Sequence, residues 1–277
     1  MLGCALITAT GYFSPAARAE GGREPEQKLL ALGDSIAFGY DPTGDFSDEN
    51  NFKGYPEKFR QEDSGNYAVK NASCPGETTG SFISASAPDN GCRAYRAAYP
   101  LHLDYGASAT QMDLAVRKLS KTNGEKPFNL VTLDLSANDL FLLQQSCAQD
   151  PANYNTCFSN GLPAVIGAIT QNLGTIFARI RGEAGYQGRI VYMNLYTVDY
   201  TNATTVSVVN AVNMYATQVA RGYGAQIADA FGAFATASNN GKACDAGLLI
   251  KLADGTCDVH PSNKGDKLLA DSVRNAN

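Results

Sequence analysis

The sequence has only two histidines, His102 and His260, among its 277 residues. So few histidines exclude a histidine-rich metal site and leave few candidates for a catalytic base. Acidic residues outnumber basic ones: the chain has 22 Lys and Arg and 27 Asp and Glu, and the basic residues form no cluster. Since phosphate binding needs a basic face, we expect no nucleic-acid partner. The patterns GxGxxG, P-loop and HExxH are missing as well, so the sequence predicts no cofactor and no metal.

The N-terminal segment predicts export. Residues 2–13 are apolar and uncharged, but they are too short for a bilayer-spanning helix, which needs about 20 residues. The small-x-small pattern Ala17-Arg18-Ala19 follows them. We therefore predict a signal peptide at 1–19 and a single mature domain at 20–277, secreted to an extracellular or periplasmic location. A lipoprotein signal with Cys4 is the alternative. No later segment reads as transmembrane, so we expect no stable membrane anchor, and a monomer is favoured.

Cysteine usage agrees with export. Without Cys4 the chain has six cysteines, an even number that suggests disulfides in an exported protein. A metal site is not indicated, because the sequence contains no CxxC and no neighbouring histidine cluster. We predict the sequential pairing, which closes three short loops: Cys74 with Cys92, Cys147 with Cys157, and Cys244 with Cys257.

Five short apolar runs alternate with helical patterns along the chain. The runs lack polar alternation, as strands buried on both faces do, and they lie at 28–32, 67–69, 128–135, 189–195 and 225–230. Helical patterns lie at 55–61, 107–119, 162–181, 206–221 and 263–273. The stretches 81–104 and 144–161 are loop-like. This alternation predicts an α/β fold with three layers, α/β/α, around a parallel sheet of about five strands.

Polar residues gather where the predicted strands end, which is where α/β sheets carry their reactive groups. The groups are Gly33-Asp34-Ser35, Cys74-Pro75-Gly76-Glu77, Ser136-Ala137-Asn138-Asp139 and, just before the last helix, Asp258-Val259-His260-Pro261. Asp34 and Asp139 are expected to bond loop amides, whereas Asp134, inside an apolar run, has no partner that the sequence identifies.

These residue types suit acyl transfer. Ser35 is a poor nucleophile unless a base removes its proton, and His260 is the natural base because imidazole titrates near neutrality. An oxyanion needs preorganised donors, which the main-chain N–H of Gly76 and the side-chain amide of Asn138 supply, with the Ser35 N–H as a third. His102 lies in a loop without a matching motif and is expected to be structural.

The chain resembles the SGNH (GDSL-type) hydrolase family in four blocks that occur in the family's order. They read GDSIAFG at 33–39, CPGETT at 74–79, SANDL at 136–140 and VHPSNKG at 259–265. The long loops and six cysteines resemble the family's secreted bacterial lipases and esterases. The resemblance implies the family's flavodoxin-like α/β fold, with Ser35 as nucleophile, His260 as base, and Gly76 and Asn138 as oxyanion donors.

The sequence departs from the family pattern near His260 and near Asn138. The family carries Asp three residues before the histidine, but that position is Cys257 here, and the carboxylate is Asp258, two residues before. Either Asp258 orients His260, or a main-chain carbonyl near Cys257 does so and the site is a dyad; both remain open. In the family's Gly-x-Asn-Asp motif, Ser136 replaces the glycine here. This substitution restricts the backbone conformations of the loop, but it keeps Asn138 as the oxyanion donor.

Three functions are compatible with these residues. The leading prediction is a secreted serine esterase or lipase that acts on a small-molecule or lipid ester. A polysaccharide O-deacetylase would use the same residues, and a non-catalytic secreted binding domain would keep only the fold. The aromatic-rich loops at 40–54 and 81–106 are expected to set the substrate.

Overall fold

The computed structural model describes residues 27–62, 66–120 and 127–277. The predicted signal peptide at 1–19 therefore lies outside the described residues and stays a prediction. The strands are β1 Gln27–Gly33, β2 Tyr67–Asn71, β3 Leu130–Asp134, β4 Arg189–Met193, β5 Gln226–Ala228, β6 Leu249–Lys251 and β7 Cys257–Pro261. The helices are α1 Ser35–Phe38, α2 Tyr55–Glu62, α3 Cys92–Ala98, α4 Gln111–Leu119, α5 Ala137–Cys147, α6 Tyr154–Ala178, α7 Ala203–Gly222, α8 Ala230–Ala237 and α9 Asn263–Arg274.

The first five strands form a parallel sheet in the order β2-β1-β3-β4-β5. Its central strands are apolar because both faces are covered, and every residue of β3 is buried. The order 2-1-3-4-5 is the flavodoxin-like one, which reverses direction between β1 and β3. Ligands of such sheets bind outside the carboxyl ends at this reversal, and both Ser35 and Asn138 follow those two strands.

Helices cover both faces of the sheet. On one face α9 packs against α2 and α8, over a core that includes Tyr55, Phe234 and Leu269. On the other face α6 packs against α5 and α7, over a core that includes Met112 and Leu173. This confirms the predicted three-layer α/β/α fold with a parallel sheet of five strands.

The helix boundaries differ from the sequence expectation between β3 and β4. The stretch 144–161 was expected to be a loop, but α5 extends to Cys147 and α6 begins at Tyr154, with Pro163 inside the helix. A proline at that position suggests a helix start, because it removes one internal hydrogen bond. Packing of α6 on α5, together with the Cys147–Cys157 disulfide, holds the extra turns in place. The predicted loop 81–104 likewise contains α3.

The stretch Pro151–Glu183 is long and apolar enough to cross a membrane when only length and composition are considered. The sequence expectation that no segment meets those two criteria is therefore wrong. A packed helix of a soluble protein meets them too, and here α6 buries Ile169, Leu173 and Phe177 against the fold. The absence of a membrane anchor stays a prediction.

The pattern of apolar runs did not predict the C-terminal elements α8, β6 and β7. After the short β5, α8 is capped by the Asp229 side chain, which accepts from the Gly232 N–H. Strands β6 and β7 then form an antiparallel pair, and β7 packs against α1. His260 therefore lies on a separate hairpin and not at the end of a parallel strand.

Six cysteines form the three sequential disulfides that the sequence predicts, Cys74–Cys92, Cys147–Cys157 and Cys244–Cys257. Three disulfides in one chain suggest an extracellular environment, because thiols stay reduced in the cytosol.

Candidate active site

Ser35 begins α1 directly after β1. Gly33 permits this turn: its φ is +145°, and a Cβ there would lie 2.4 Å from the carbonyl oxygen of Asp134 on β3. Asp34 caps the helix, because its Oδ1 accepts from the Ile36 N–H at 3.0 Å. Ser35 is largely buried and faces a pocket of about 570 Å³. The turn thus fixes the serine at the reversal point of the sheet.

Asn138 lies in the first turn of α5 and lines the same pocket. Its Nδ2 donates to Asp34 Oδ2 at 3.1 Å and to the Glu77 carbonyl at 3.0 Å. These bonds aim the amide N–H groups toward the residues around Ser35 and Gly76. Ser136, two residues earlier, has a φ of +110°, in the region that favours glycine. The serine therefore keeps the backbone shape that a glycine would adopt without strain.

Gly76 occupies a tight turn of the second block, with a φ of +83°. A Cβ at this position would lie 2.3 Å from the carbonyl oxygen of Asn90, so the turn requires glycine. The neighbouring Glu77 is bonded to Asn138 through its carbonyl. Gly76 is not among the residues that line the pocket with Ser35, although its neighbour contacts one that does.

His260 and Asp258 lie on β7. Asp258 Oδ1 contacts His260 Nδ1 and also accepts from the His260 backbone N–H at 2.9 Å. The hydrogen bond from His260 lowers the pKa of Asp258, so this carboxyl is ionised at neutral pH. Of the two arrangements that the sequence left open, the structure has the Asp258 carboxylate at Nδ1. The Tyr40 ring packs 4.8 Å from the imidazole, centroid to centroid.

The strand that carries His260 is held from two sides. Tyr196 is stacked on Phe234 and donates to the Val259 carbonyl at 2.6 Å. The Cys244–Cys257 disulfide lies one residue before Asp258. Together these contacts hold the imidazole at the pocket, which Ser35, Asn138 and His260 line jointly.

Asp134 has partners that the sequence did not reveal. It accepts from the Tyr55 hydroxyl at 2.9 Å and from the Ala37 N–H at 3.2 Å. Its side chain also hydrogen-bonds to Asp34. Burial raises the pKa of Asp34 to about 6. Burial also raises the pKa of Asp134 well above its ordinary value, and the nearby charge of Asp34 raises it further. We assign the shared proton to Asp134 and the negative charge to Asp34 at neutral pH.

Asn90 joins both candidate oxyanion donors, and sequence reasoning missed it. Its backbone N–H donates to the Gly76 carbonyl at 2.8 Å, and its Nδ2 donates to Asn138 Oδ1 at 2.8 Å. Gln145 of α5 donates to Asn90 Oδ1 at 2.8 Å. The nearby Cys74–Cys92 disulfide brings the two loops together. No motif marks Asn90, but its position two residues before a paired cysteine is a usable signal.

The remaining polar residues of the blocks hold loops, as expected. Asp139 accepts from the Thr79 N–H at 3.0 Å and from its hydroxyl at 2.7 Å. His102 bonds the Phe38 carbonyl through Nε2 at 3.1 Å, a structural contact. In contrast, the pocket walls include no residue from the loops at 40–54 or 81–106, which were expected to set the substrate. The walls come from α5, α6, α7 and the segment after β4.

Comparisons with known proteins give a family and a fold. The sequence profile of the GDSL-like lipase/acylhydrolase family matches residues 31–268. No curated protein sequence matches the chain. Among solved structures, a lipase from a goat rumen metagenome is similar with a TM-score of 0.56 and 14% identity, covering 90% of this chain and 96% of that one.

Two further solved structures are similar over comparable lengths. One is a putative GDSL-like lipase from Parabacteroides merdae, with a TM-score of 0.54, 12% identity, and coverage of 90% of this chain and 94% of that one. The other is an acetylxylan esterase from Geobacillus stearothermophilus, with a TM-score of 0.53, 16% identity, and coverage of 89% and 91%. Because these sequence identities are only 12–16%, the similarity shows a shared fold alone.

Proposed function

Because the chain belongs to the GDSL-like lipase/acylhydrolase family, we propose that it is a secreted carboxylic ester hydrolase that works through an acyl-enzyme on Ser35. One observation carries the proposal: Ser35, Asn138 and His260, which come from three distant parts of the chain, line one pocket. The Asp258 carboxylate on the far nitrogen of the imidazole supports it. The three disulfides support the secreted location.

In the first half-reaction the Ser35 hydroxyl attacks the ester carbonyl while His260 Nε2 takes its proton. The C–O bond to the alcohol then breaks, and the imidazolium returns the proton to the leaving alcohol. Asp258 holds His260 in the tautomer that leaves Nε2 free to accept, and its charge stabilises the imidazolium. In the second half-reaction His260 activates water, which hydrolyses the acyl-enzyme and releases the carboxylic acid.

The tetrahedral intermediate carries an oxyanion that needs N–H donors. We assign this role to the main-chain N–H groups of Ser35 and Gly76 and to Asn138 Nδ2. Both Nδ2 bonds are directed to fixed acceptors, Asp34 and the Glu77 carbonyl. Both Nδ2 hydrogens are therefore engaged in the structure, and the oxyanion has to take one of them from its acceptor while the other bond keeps the amide oriented.

The test is the initial rate on p-nitrophenyl acetate and butyrate for wild type, Ser35→Ala and Ser47→Ala. Ser47 lies in the surface loop after α1 and bonds Asp45, so it serves as a matched serine control. We expect wild type and Ser47→Ala to turn over equally, and Ser35→Ala to fall by about 1,000-fold or more. A Ser35→Ala variant as active as wild type would exclude Ser35 as nucleophile. No turnover by a folded wild type on these esters or on longer-chain p-nitrophenyl esters would favour a non-catalytic binding domain.

A further inference from the structure

The pocket at Ser35 extends far beyond the reacting groups. Its volume is about 570 Å³, within the range of about 300–1,000 Å³ that is usual for small-molecule sites. An acetyl group has three heavy atoms and fills on the order of 100 Å³, if each takes roughly the 30 Å³ of a water molecule. An acetyl group would therefore fill only a small part of the pocket.

The pocket follows α5 away from the reacting groups. Asn138 and Gln144 both line it, and six residues of α-helix span about 9 Å. Leu140 and Phe141 line it between them. Phe158 of α6 faces the pocket from across the α5–α6 junction, next to the Cys147–Cys157 disulfide. The cavity thus extends from Ser35 along the α5–α6 hairpin, and this part of it is called the channel below.

The walls of this channel are mainly aliphatic and aromatic. Leu195 follows β4, and Val208 and Val209 lie on α7. The carboxyl and imidazole groups of the pocket, those of Asp34, Asp134 and His260, belong to the Ser35 end, whereas α6 contributes the Tyr154 phenol. A ligand with its reacting group at one end and an apolar chain at the other fits this arrangement.

We propose that this channel binds the acyl chain of the substrate, and that the chain is a linear aliphatic one of about eight carbons or more. The inference rests on the proposed function, because the acyl chain enters the channel only when its carbonyl is bound at Ser35. It assigns specificity to α5, α6 and α7, and not to the aromatic loops. Burial of each added methylene in the channel is expected to raise kcat/KM by roughly fourfold until the channel is full.

The experiment measures kcat/KM for p-nitrophenyl esters of two, four, eight and twelve carbons, each below its aggregation concentration. The variants are Gln144→Trp, which fills the channel from an exposed position, and Phe158→Ala, which removes a wall. Gln149→Trp is the control, because Gln149 follows α5, is exposed and does not line the pocket.

We expect wild type and Gln149→Trp to prefer the eight-carbon ester over the acetate by about 100-fold or more. In Gln144→Trp the ratio of kcat/KM on the eight- and twelve-carbon esters to that on the acetate should fall at least 10-fold. Phe158→Ala should lower the same ratio.

Two results would overturn the proposal. A wild type that favours the acetate in a Ser35-dependent manner would exclude the long acyl chain and leave the proposed ester hydrolase intact. Equal loss on all esters in Gln144→Trp would exclude the channel as the determinant of chain length. No turnover on any ester would reject the proposed function together with this inference.

Discussion

Asp258 and His260 are separated by a single residue, yet the Asp258 carboxylate contacts His260 Nδ1. Both residues lie on β7, and side chains two residues apart in a strand project from the same face. Cys257, where the family pattern has its aspartate, is used instead for the disulfide to Cys244. The strand geometry thus lets a carboxylate at the shifted position reach the imidazole.

Asp258→Asn is expected to lower kcat by about 100-fold or more, because the amide stabilises neither the productive tautomer nor the imidazolium. Asp254→Asn is the matched control: it lies at the turn of the same hairpin, where it bonds Thr256. Steady-state kinetics on a p-nitrophenyl ester check the prediction. If Asp258→Asn stays within threefold of wild type, a main-chain carbonyl orients His260 and the site is a dyad.

Asn90→Ala is expected to lower kcat about 10-fold and to leave KM nearly unchanged. Asn90 touches no reacting atom, but its side chain holds Asn138, so its loss loosens a donor that acts mainly in the transition state, whereas the backbone bond to Gly76 stays. Gln145→Ala, which removes only the outer bond to Asn90, should lose less. Thermal melts verify that both variants are folded. A rise in KM with unchanged kcat would contradict a role in positioning the oxyanion donors.

Ser136→Gly is expected to raise the free energy of unfolding by about 1 kcal/mol. A non-glycine residue at positive φ costs about 1–3 kcal/mol, and the extra entropy of glycine in the unfolded chain offsets part of the gain. Ser159→Gly, on the exposed surface of α6, should have the opposite sign. Urea unfolding measures both. Destabilisation of Ser136→Gly would show that its hydroxyl contact near Tyr192 outweighs the backbone strain.

Glu57 makes the stability pH-dependent. Burial raises its pKa from 4.5 to about 7, so between these values the folded protein binds a proton that the unfolded chain has released. The free energy of unfolding therefore falls as the pH rises through that window. Relative to Glu57→Gln, wild type should lose on the order of 3 kcal/mol between pH 4.5 and 8, at about 1.4 kcal/mol per pKa unit.

The control for this prediction is Glu183→Gln. A hydrogen bond from Arg179 lowers the pKa of Glu183, so this carboxylate stays ionised across the window. Urea unfolding of the three proteins at several pH values is the measurement. Parallel stability curves for wild type and Glu57→Gln would contradict a raised Glu57 pKa in the folded protein.

The sequence predicts the sheet and the residues at its carboxyl edge well, because both depend on local patterns. Buried parallel strands read as apolar runs, and Ser35 and Asn138 follow two of them directly. Gly33 and Gly76 mark turns that only glycine can make. The pairing of Cys74 with Cys92 follows from short loop closure. These features need no knowledge of distant contacts.

The rest depends on tertiary contacts that no local pattern carries. Asn90 reaches the site because a disulfide and Gln145 hold its loop there. Asp134 is tolerated in a buried strand because Tyr55 and Asp34 bond it. The early start of α6 rests on its packing against α5, and this start creates the channel wall. The sequence-based assignment of the substrate to the aromatic loops stays a prediction: no residue of these loops lines the pocket, but Tyr40 packs on His260.

Covalent labelling tests the central claim most directly. A p-nitrophenyl alkylphosphonate forms an O–P bond with an activated serine and releases p-nitrophenolate, leaving a stable analogue of the tetrahedral intermediate. The account predicts one p-nitrophenolate per wild-type chain, with the adduct mapped by mass spectrometry to Ser35. Ser35→Ala should release none, and His260→Ala should react at least about 100-fold more slowly. An unlabelled wild type, or an adduct on any other residue, would contradict it.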